Sequence, residues 1–363
     1  MTRHAPTLPV VLFAAICAAS APCTAQDPLD WSVPPVDPMR LSSLPMRLSD
    51  GSVRPRNAWT FEGTVGYFNL ASPSWHIATI HRELGLEGQP LDPSELRTLE
   101  TRHPSDDIYN LDVEGWQFDL HVSRSFGAGY TISVHVPWMD VGHPNWDAIS
   151  SDFHRAFGIG QGPRDALRNG DTMVYLYSGG RVVERTGDIA GSGLGDISLA
   201  ASGPVGRVLG GDQRWAVAVD APTGSTDGLW GSGGWDLGVR WFGDWRFGRS
   251  RLQLAAGYNW LDDSGSWLGI ERSDIWQAQG VFFYRIAESS SLRLSVWYGS
   301  SILADFSDGQ PGDPSLFFDI GARFGLSSRW WFALNLGENH IDHGTAPDFT
   351  LQLQLGTSFD RAP

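Results

Sequence analysis

The sequence contains no lysine, so all 26 residues in its Lys plus Arg count are arginine. The 41 Asp and Glu residues outnumber them and give a formal net charge of −15. This surplus of negative charge argues against nucleic acid or an anionic lipid surface as a partner. The mean hydropathy of −0.20 likewise excludes a bundle of transmembrane helices.

Cysteine is scarce as well, since the chain has only Cys17 and Cys23. Both lie in residues 1–25, where a basic start, a short apolar run and small residues ending at Ala25 predict a secretory signal peptide. The apolar run is shorter than the roughly 20 residues that a membrane-spanning helix needs. We therefore expect cleavage after Ala25 and an exported protein with neither a thiol nor a disulfide.

Glycine and aromatic residues are abundant, with 43 Gly and 12% Phe, Trp and Tyr. Residues 26–56 are rich in proline and predict an extended leader with no core of its own. From Trp59 onward apolar and polar residues alternate, as they do between Arg251 and Trp260. Because the side chains of a strand point alternately to opposite faces, this period of two predicts an all-β fold.

Alternation leaves open which face is buried, because a soluble barrel turns its apolar face inward and a membrane barrel turns it outward. The predicted strands are about 9–13 residues long, near the length that a tilted strand needs to cross a bilayer. Their polar faces carry charges that a packed soluble core rarely accepts unpaired. Aromatic residues recur near the strand ends, as in the interfacial girdles of membrane barrels. They are Phe126, Tyr130, Trp215, Trp245, Trp330 and Trp331 at one rim, and Trp138, Trp235, Trp260 and Phe317 at the other.

Short and long connections alternate along the chain. Outer-membrane barrels have short periplasmic turns, long extracellular loops and periplasmic termini. Counting back from the last strand with this parity predicts a transmembrane antiparallel barrel over 57–360. The strand-like stretch 172–184 then becomes a hairpin inside the large extracellular loop 141–193. The twelve predicted strands begin near residues 58, 113, 129, 194, 213, 234, 250, 274, 291, 315, 330 and 348.

Several short motifs follow one another in a fixed order. They include Gly193-Leu194-Gly195-Asp196, Pro222-Thr223-Gly224-Ser225, Gly231-Ser232-Gly233-Gly234-Trp235-Asp236 and Ala346-Pro347-Asp348-Phe349. Over roughly 57–360 the chain resembles the bacterial domain-of-unknown-function family 3187, which is associated with outer-membrane barrels. The resemblance implies a barrel in the outer membrane of a Gram-negative bacterium, and it brings no substrate or catalytic residue.

The loop 141–193 carries Arg155, Arg164 and Arg168 in an otherwise acidic chain. These arginines could form a constriction that presents positive charge to an anionic or polar solute. In the alternative, which we favour, Phe153 and Phe157 anchor a lid while the arginines pair with acidic residues of the loop.

Charges on the polar strand faces have the same ambiguity. They could line an aqueous path, or they could pair with one another and fill a lumen narrower than that of larger porins. We favour a narrow or plugged lumen. The candidates are Arg240, Arg251, Arg293, Arg323, Asp119, Asp220, Asp236 and Asp319, with Arg285 and Glu62 on the same faces.

Two other sets of polar residues are weaker candidates for a catalytic or metal-binding site. His121 and His135, with Ser123 and Ser133 on the same faces, could serve a lipid-hydrolysing enzyme, but no phospholipase signature surrounds them. His340, Asp342 and His343 have a generic spacing for metal ligands. We therefore assign no catalytic residue, metal or cofactor.

The function that we expect is the passage or capture of small solutes. The alternatives are a structural or surface-interaction barrel with a plugged lumen and, with less support, a lipid-modifying enzyme. The expected partners are outer-membrane lipid, the barrel-assembly machinery and an unidentified small solute, but no nucleic acid.

Overall fold

The computed structural model describes residues 27–31, 57–87, 89, 92–127, 129–142, 152–156, 172–186, 189–262, 269–339 and 347–360. No helix in these ranges is long and apolar enough to cross a membrane. The longer helices in these ranges are α1 (Trp75–Leu84) and α2 (Pro93–Arg102). The strands are β1 (Ala58–Pro73), β2 (Ile108–Phe126), β3 (Tyr130–Val141), β4 (Met173–Ser178), β5 (Arg181–Thr186), β6 (Gly191–Leu194), β7 (Ile197–Val208), β8 (Gly211–Ala221), β9 (Asp236–Phe247), β10 (Ser250–Trp260), β11 (Ile275–Ala287), β12 (Ser290–Gly299), β13 (Ser315–Gly325), β14 (Trp330–Asn339) and β15 (Phe349–Asp360).

Twelve of these strands form a closed antiparallel barrel, as the alternation predicted. Consecutive barrel strands pair with each other, and β1 also pairs with β15, so that Ala58 lies opposite Asp360. The short strands β4, β5 and β6 stand outside this ring. The strand β2 begins at Ile108 rather than near residue 113, because its first residues pair with β4 beyond the barrel. The predicted hairpin within the large loop is the β4–β5 pair.

The two ends of the barrel differ. One, here called the short-turn end, holds the tight connections and also the first residue of β1 and the last residue of β15. The other, the long-loop end, holds the connections that contain α1, α2, the β4–β5 hairpin and the 3₁₀ turn Gln310–Gly312. An apolar cluster that includes Phe68, Val113, Trp230 and Phe306 fills the long-loop end.

The barrel wall is apolar outside and polar inside. On β9 the Trp241 side chain is 41% exposed while its neighbour Arg240 is 5% exposed. On β10 Leu254 is 39% exposed and Gln253 is 3% exposed. A soluble protein buries the opposite set of residues, so the apolar face is the one that meets lipid.

The aromatic girdles are confirmed only in part. Exposed rings at the short-turn end include Phe126, Tyr130 and Trp215, and those at the long-loop end include Trp138, Trp235 and Trp260. The rim position predicted for Trp331 is wrong, because its side chain is 1% exposed and shares a face with Ala333 inside the barrel. Consecutive strand residues point to opposite faces, so Trp330 and Trp331 cannot both meet lipid. Phe317, also predicted at a rim, shares the inner face of Asp319.

The orientation of the wall can be tested by placing a charge on its outer face. We expect Leu254→Arg, near the middle of β10, to lower the free energy of unfolding by about 2–4 kcal/mol, because the guanidinium would enter the hydrocarbon. The matched control is Val182→Arg, since Val182 is an exposed apolar residue on the β4–β5 hairpin outside the wall. That control is expected to change stability by about 0.5 kcal/mol or less. Reversible urea unfolding in liposomes measures both. Equal effects would contradict the assignment of the outer face.

Candidate functional site in the barrel lumen

Residues 27–31 lie inside the barrel at its short-turn end, and we call them the N-terminal plug. Leu29 is 2% exposed and Trp31 is 1% exposed. The indole Nε1 of Trp31 donates a hydrogen bond to Ser291 Oγ at 3.1 Å, and its ring meets the Phe283 ring edge-on with centroids 6.1 Å apart. These side chains form an apolar cluster with inward residues of the wall, namely Ala216, Phe242, Ala255, Val281, Phe283, Trp331 and Ala333. This part of the predicted leader therefore shares the core of the barrel.

The plug is folded as a compact turn. The Leu29 amide donates to Asp27 Oδ1 at 3.0 Å, and the Asp30 amide donates to the Asp27 carbonyl oxygen at 2.8 Å. Pro28 between them has a fixed φ that suits such a turn. The turn directs both carboxylates toward the wall while Leu29 and Trp31 enter the apolar cluster.

Three arginines of the wall hold these carboxylates. Asp27 accepts from Arg246 and from Arg285 at 2.7 Å each. Asp30 accepts from Arg246 at 2.5 Å and from Arg251 at 2.7 Å. Burial alone would raise the pKa of Asp27, but the Leu29 amide and the guanidinium groups of Arg246 and Arg285 outweigh it and lower the pKa below its ordinary value of 3.8. The plug is thus anchored by charge over the whole neutral range.

Further pairs continue this network into the wall. Arg251 is also held by Asp244, with Nη2 at 2.5 Å from Oδ2. Arg323 donates to the Asp27 carbonyl oxygen at 2.7 Å, and its guanidinium carbon lies 4.6 Å from the centre of the Trp331 ring. Cation–π contact of this kind stabilises a buried guanidinium.

A second pair lies next to the indole of the plug. Arg293 contacts Asp319 and donates to Asn335 Oδ1 at 3.1 Å. The Arg293 guanidinium carbon is 5.8 Å from the centre of the Trp31 ring. Both charged residues are buried, so each compensates for the desolvation of the other.

The wall formed by β1, β2 and β3 carries carboxylate–imidazole pairs. Glu62 Oε2 lies 3.0 Å from His121 Nδ1, and Asp119 Oδ1 lies 2.5 Å from His135 Nε2. Ser123 and Ser133 are opposite each other on the adjacent strands and are buried on the same inner face. The residues of the enzyme hypothesis therefore lie on the side of the wall away from lipid.

The motifs that carry the family resemblance meet at the long-loop end. The Asp196 carboxylate accepts the Gly224 amide at 2.8 Å and the Ser232 amide at 2.6 Å. A Cβ on Gly224 would lie 2.7 Å from the Gly231 Cα, so glycine is required by the close approach of the two loops. These residues tie the β8–β9 connection to the start of β7. We assign them a structural role.

Asp236 and Asp220 lie at the same end. Asp236 is paired with Arg272, which is outside the barrel strands, at 3.0 Å, and its Oδ1 accepts the Asp262 amide at 2.9 Å. Asp220 is buried beside Asp236 on the neighbouring strand. Asp236 thus ties the connection between β10 and β11 to the start of β9.

A short helical turn over 152–156 folds back onto the barrel mouth. The ring of Phe153 lies 5.1 Å from that of Phe349, and His154 Nε2 lies 2.8 Å from Glu338 Oε1. Arg155 is exposed and pairs with Asp152 at 2.7 Å. Arg164, Arg168, Phe157, His340, Asp342 and His343 lie outside the described residues.

The structure thus separates the predicted lumen residues into groups. It brings Arg251, Arg323, Arg293 and Asp319 to the plug. Asp119 belongs to the imidazole pairs, Arg240 is buried on β9, and Asp220 and Asp236 are at the long-loop end. Sequence reasoning missed the plug residues Asp27, Asp30 and Trp31 and their partner Arg246. It also missed Asp244, which pairs with Arg251 in the wall. A five-residue segment has no periodicity to reveal it, and its partners are more than 200 positions away, as the separations of 219 and 216 for Arg246 illustrate.

Comparison with known proteins gives one family. A family model described as "Protein of unknown function (DUF3187)" matches residues 103–359. No curated protein matches the chain.

Solved structures resemble the chain as outer-membrane barrels. The COG4313 outer membrane channel from Pseudomonas putida F1 aligns with a TM-score of 0.52 and 13% identity, over 84% of this chain and 97% of that one. The NanC porin aligns with a TM-score of 0.42 and 8% identity, over 83% and 100%. At such identities the first similarity supports the fold, and the chain has the fold of outer-membrane proteins.

The pairing of buried charges predicts a specific pattern of stabilities. Arg293→Met should lower the free energy of unfolding by about 3–5 kcal/mol, because Asp319 then stays buried without its counter-charge. The double variant Arg293→Met/Asp319→Leu should recover most of this loss, since neither member of the pair then remains as an uncompensated buried charge. Urea unfolding in liposomes gives both values. A double variant no more stable than Arg293→Met would contradict the pairing.

Proposed function

The chain belongs to the DUF3187 family, and we propose that it is an outer-membrane channel for small polar solutes. In this proposal the N-terminal plug closes the channel. The observation that carries the proposal is a polar, charged barrel interior with a non-covalent plug at one end. A lumen meant only as a scaffold has no need of a segment whose carboxylates are held by exchangeable ion pairs. Withdrawal of residues 27–31 would open the short-turn end.

The charges of the plug indicate which solutes would pass. Asp27 and Asp30 neutralise guanidinium groups of Arg246, Arg251 and Arg285. When the plug leaves, these groups and Arg323 would face the opened lumen with Asp244 as a nearby acid. Positive charge at a constriction favours anions. We therefore infer small anionic solutes as the preferred class.

The rival function is a barrel that stays closed and serves as a structural or surface-interaction element. Burial of Leu29 and Trp31 in an apolar cluster favours it, because expelling them would expose apolar surface to water. A lipid-modifying enzyme has less support, since the His121 and His135 pairs face the lumen.

Export and assembly follow the same proposal. Cleavage after Ala25 would leave Gln26 ahead of Asp27, so the plug would begin almost at the new N-terminus. The barrel-assembly machinery would insert the barrel, and outer-membrane lipid would surround its apolar face. Arg155, with Arg164 and Arg168 in the same loop, would pair with loop acids while the 152–156 turn covers part of the long-loop mouth.

Planar-bilayer recording tests the channel. We expect the chain lacking 27–31, and the double variant Asp27→Asn/Asp30→Asn, to show a higher conductance than the unaltered protein and a reversal potential that indicates anion selectivity. The matched control is Asp212→Asn, an exposed acid near the same end that pairs with Arg207 at 3.2 Å, and it should behave as the unaltered protein.

A correctly folded barrel must be verified by its heat-modifiable mobility on gels. If the folded, plug-free variant does not conduct, the channel proposal fails and the closed structural barrel takes its place. Cation selectivity would be consistent with the channel proposal but would overturn the inference that the solutes are anionic.

The pH dependence of conductance tests the electrostatic anchor. The plug-bound state stabilises ionised Asp27 and lowers its pKa below 3.8, so this stabilisation is present above pH 3.8 and lost as the pH falls through the lowered pKa. We expect a constant conductance between about pH 7 and pH 5 and a rise below about pH 4. The Asp27→Asn/Asp30→Asn variant should show no such rise. A rise already complete at pH 5 would contradict the anchor.

A further inference from the structure

Two histidines and an aspartate meet in the long connection between β1 and β2. His76 is in the first turn of α1, His103 follows the last residue of α2, and Asp106 is in the turn that leads to β2. The Asp106 Oδ2 atom lies 3.2 Å from His76 Nε2 and 3.1 Å from His103 Nδ1. The two imidazole centroids are 4.8 Å apart.

We propose that these three side chains bind a divalent transition-metal ion, with Zn²⁺ as the fitting example. Zinc is bound tetrahedrally by imidazole and carboxylate at about 2.0–2.2 Å. Tetrahedral bonds of that length place neighbouring ligand atoms roughly 3.3–3.6 Å apart. The two measured separations lie just below that spacing, and all three ligand atoms lie within 4.8 Å of one another.

The backbone around the site is already ordered. The His103 amide donates to the Leu99 carbonyl oxygen at 2.8 Å, and the Asp106 amide donates to the His103 carbonyl oxygen at 3.2 Å. The helices α1 and α2 pack against each other and against the start of β2 through a buried apolar cluster that includes Ile77, Ile80, Leu96, Leu99 and Ile108. Ligands held by packed elements lose little conformational freedom on binding.

The site is open to solvent on one side. The side chains of His76, His103 and Asp106 are 36%, 40% and 41% exposed. Three protein ligands with an accessible fourth position leave room for a water or a ligand from the medium. Two imidazoles and one carboxylate with open positions suit Zn²⁺ or Fe²⁺ better than Ca²⁺ or Mg²⁺, which prefer oxygen ligands.

The turn that contains Asp106 contacts other connections at the long-loop end, so a bound ion would also affect those connections. Ser307 Oγ of the β12–β13 connection donates to Asp107 at 2.6 Å, and Tyr177 Oη of the β4–β5 hairpin donates to the Pro104 carbonyl oxygen at 3.0 Å. The turn that supplies Asp106 therefore contacts two other connections at the long-loop end. A metal ion that joins α1 to this turn would therefore stabilise the contacts among the β1–β2 connection, the β4–β5 hairpin and the β12–β13 connection.

Zinc titration of the full, tag-free chain in detergent micelles tests the site, with a chromophoric chelator as competitor. We expect one Zn²⁺ per chain, with at least about tenfold weaker binding in His76→Asn and in Asp106→Asn, because even outer-shell losses weaken metal sites by this factor or more. The matched control is His154→Asn, since His154 lies outside this cluster and its Nε2 is 2.8 Å from Glu338 Oε1. It should bind as the unaltered chain does.

Co²⁺ in place of Zn²⁺ gives a second readout, because its visible absorption reports tetrahedral nitrogen and oxygen ligation. We expect that absorption in the unaltered chain and its loss in Asp106→Asn, whose amide keeps the size of the carboxylate. Variants that still show heat-modifiable mobility are folded. Zinc affinity unchanged in both variants, or no binding by the unaltered chain, would overturn the proposal and leave the three side chains as a hydrogen-bonded cluster.

Discussion

Closure of the ladder between β1 and β15 is the constraint on which the rest of the structure depends. Hydrocarbon offers no hydrogen-bond partner, so a strand edge left open in the bilayer would hold a row of unpaired amides and carbonyls. The register from Ala58 opposite Asp360 to Asn69 opposite Phe349 removes that edge. Once the ring is closed, each strand must present one face to lipid and one to the interior, and the alternation of the sequence follows.

The interior then poses its own problem. Inward charges are shielded from bulk water by the wall, so they need partners. The chain solves this with pairs on adjacent strands, such as Arg293 with Asp319 and Arg251 with Asp244. The plug extends the same solution, because its two carboxylates meet the guanidinium groups nearest the short turns. Its apolar side chains fill the space that a barrel wall of small inward residues such as Ala216 and Ala255 leaves.

Periodicity predicted the wall well and its contents poorly. Strand limits, parity and the β4–β5 hairpin follow from a period of two and from connection lengths, which are local properties. Trp331 was misplaced because position near a strand end does not say which of two adjacent tryptophans faces inward. The plug and the His76–His103–Asp106 cluster depend on contacts between distant segments, for which a single sequence carries no signal. The motifs of the family resemblance were visible, yet their role in joining loops through Asp196 needed the fold.

The plug lies near the start of the sequence, but its partners in the wall lie much later in the sequence. The carbonyl of Asp27 and the guanidinium of Arg323 are separated by 296 residues, so a segment near the start of the sequence contacts a partner near its end. Until β9 to β14 have joined the wall, Leu29 and Trp31 have no apolar cluster to enter. The plug can therefore make the contacts described above only after most of the barrel strands are in place.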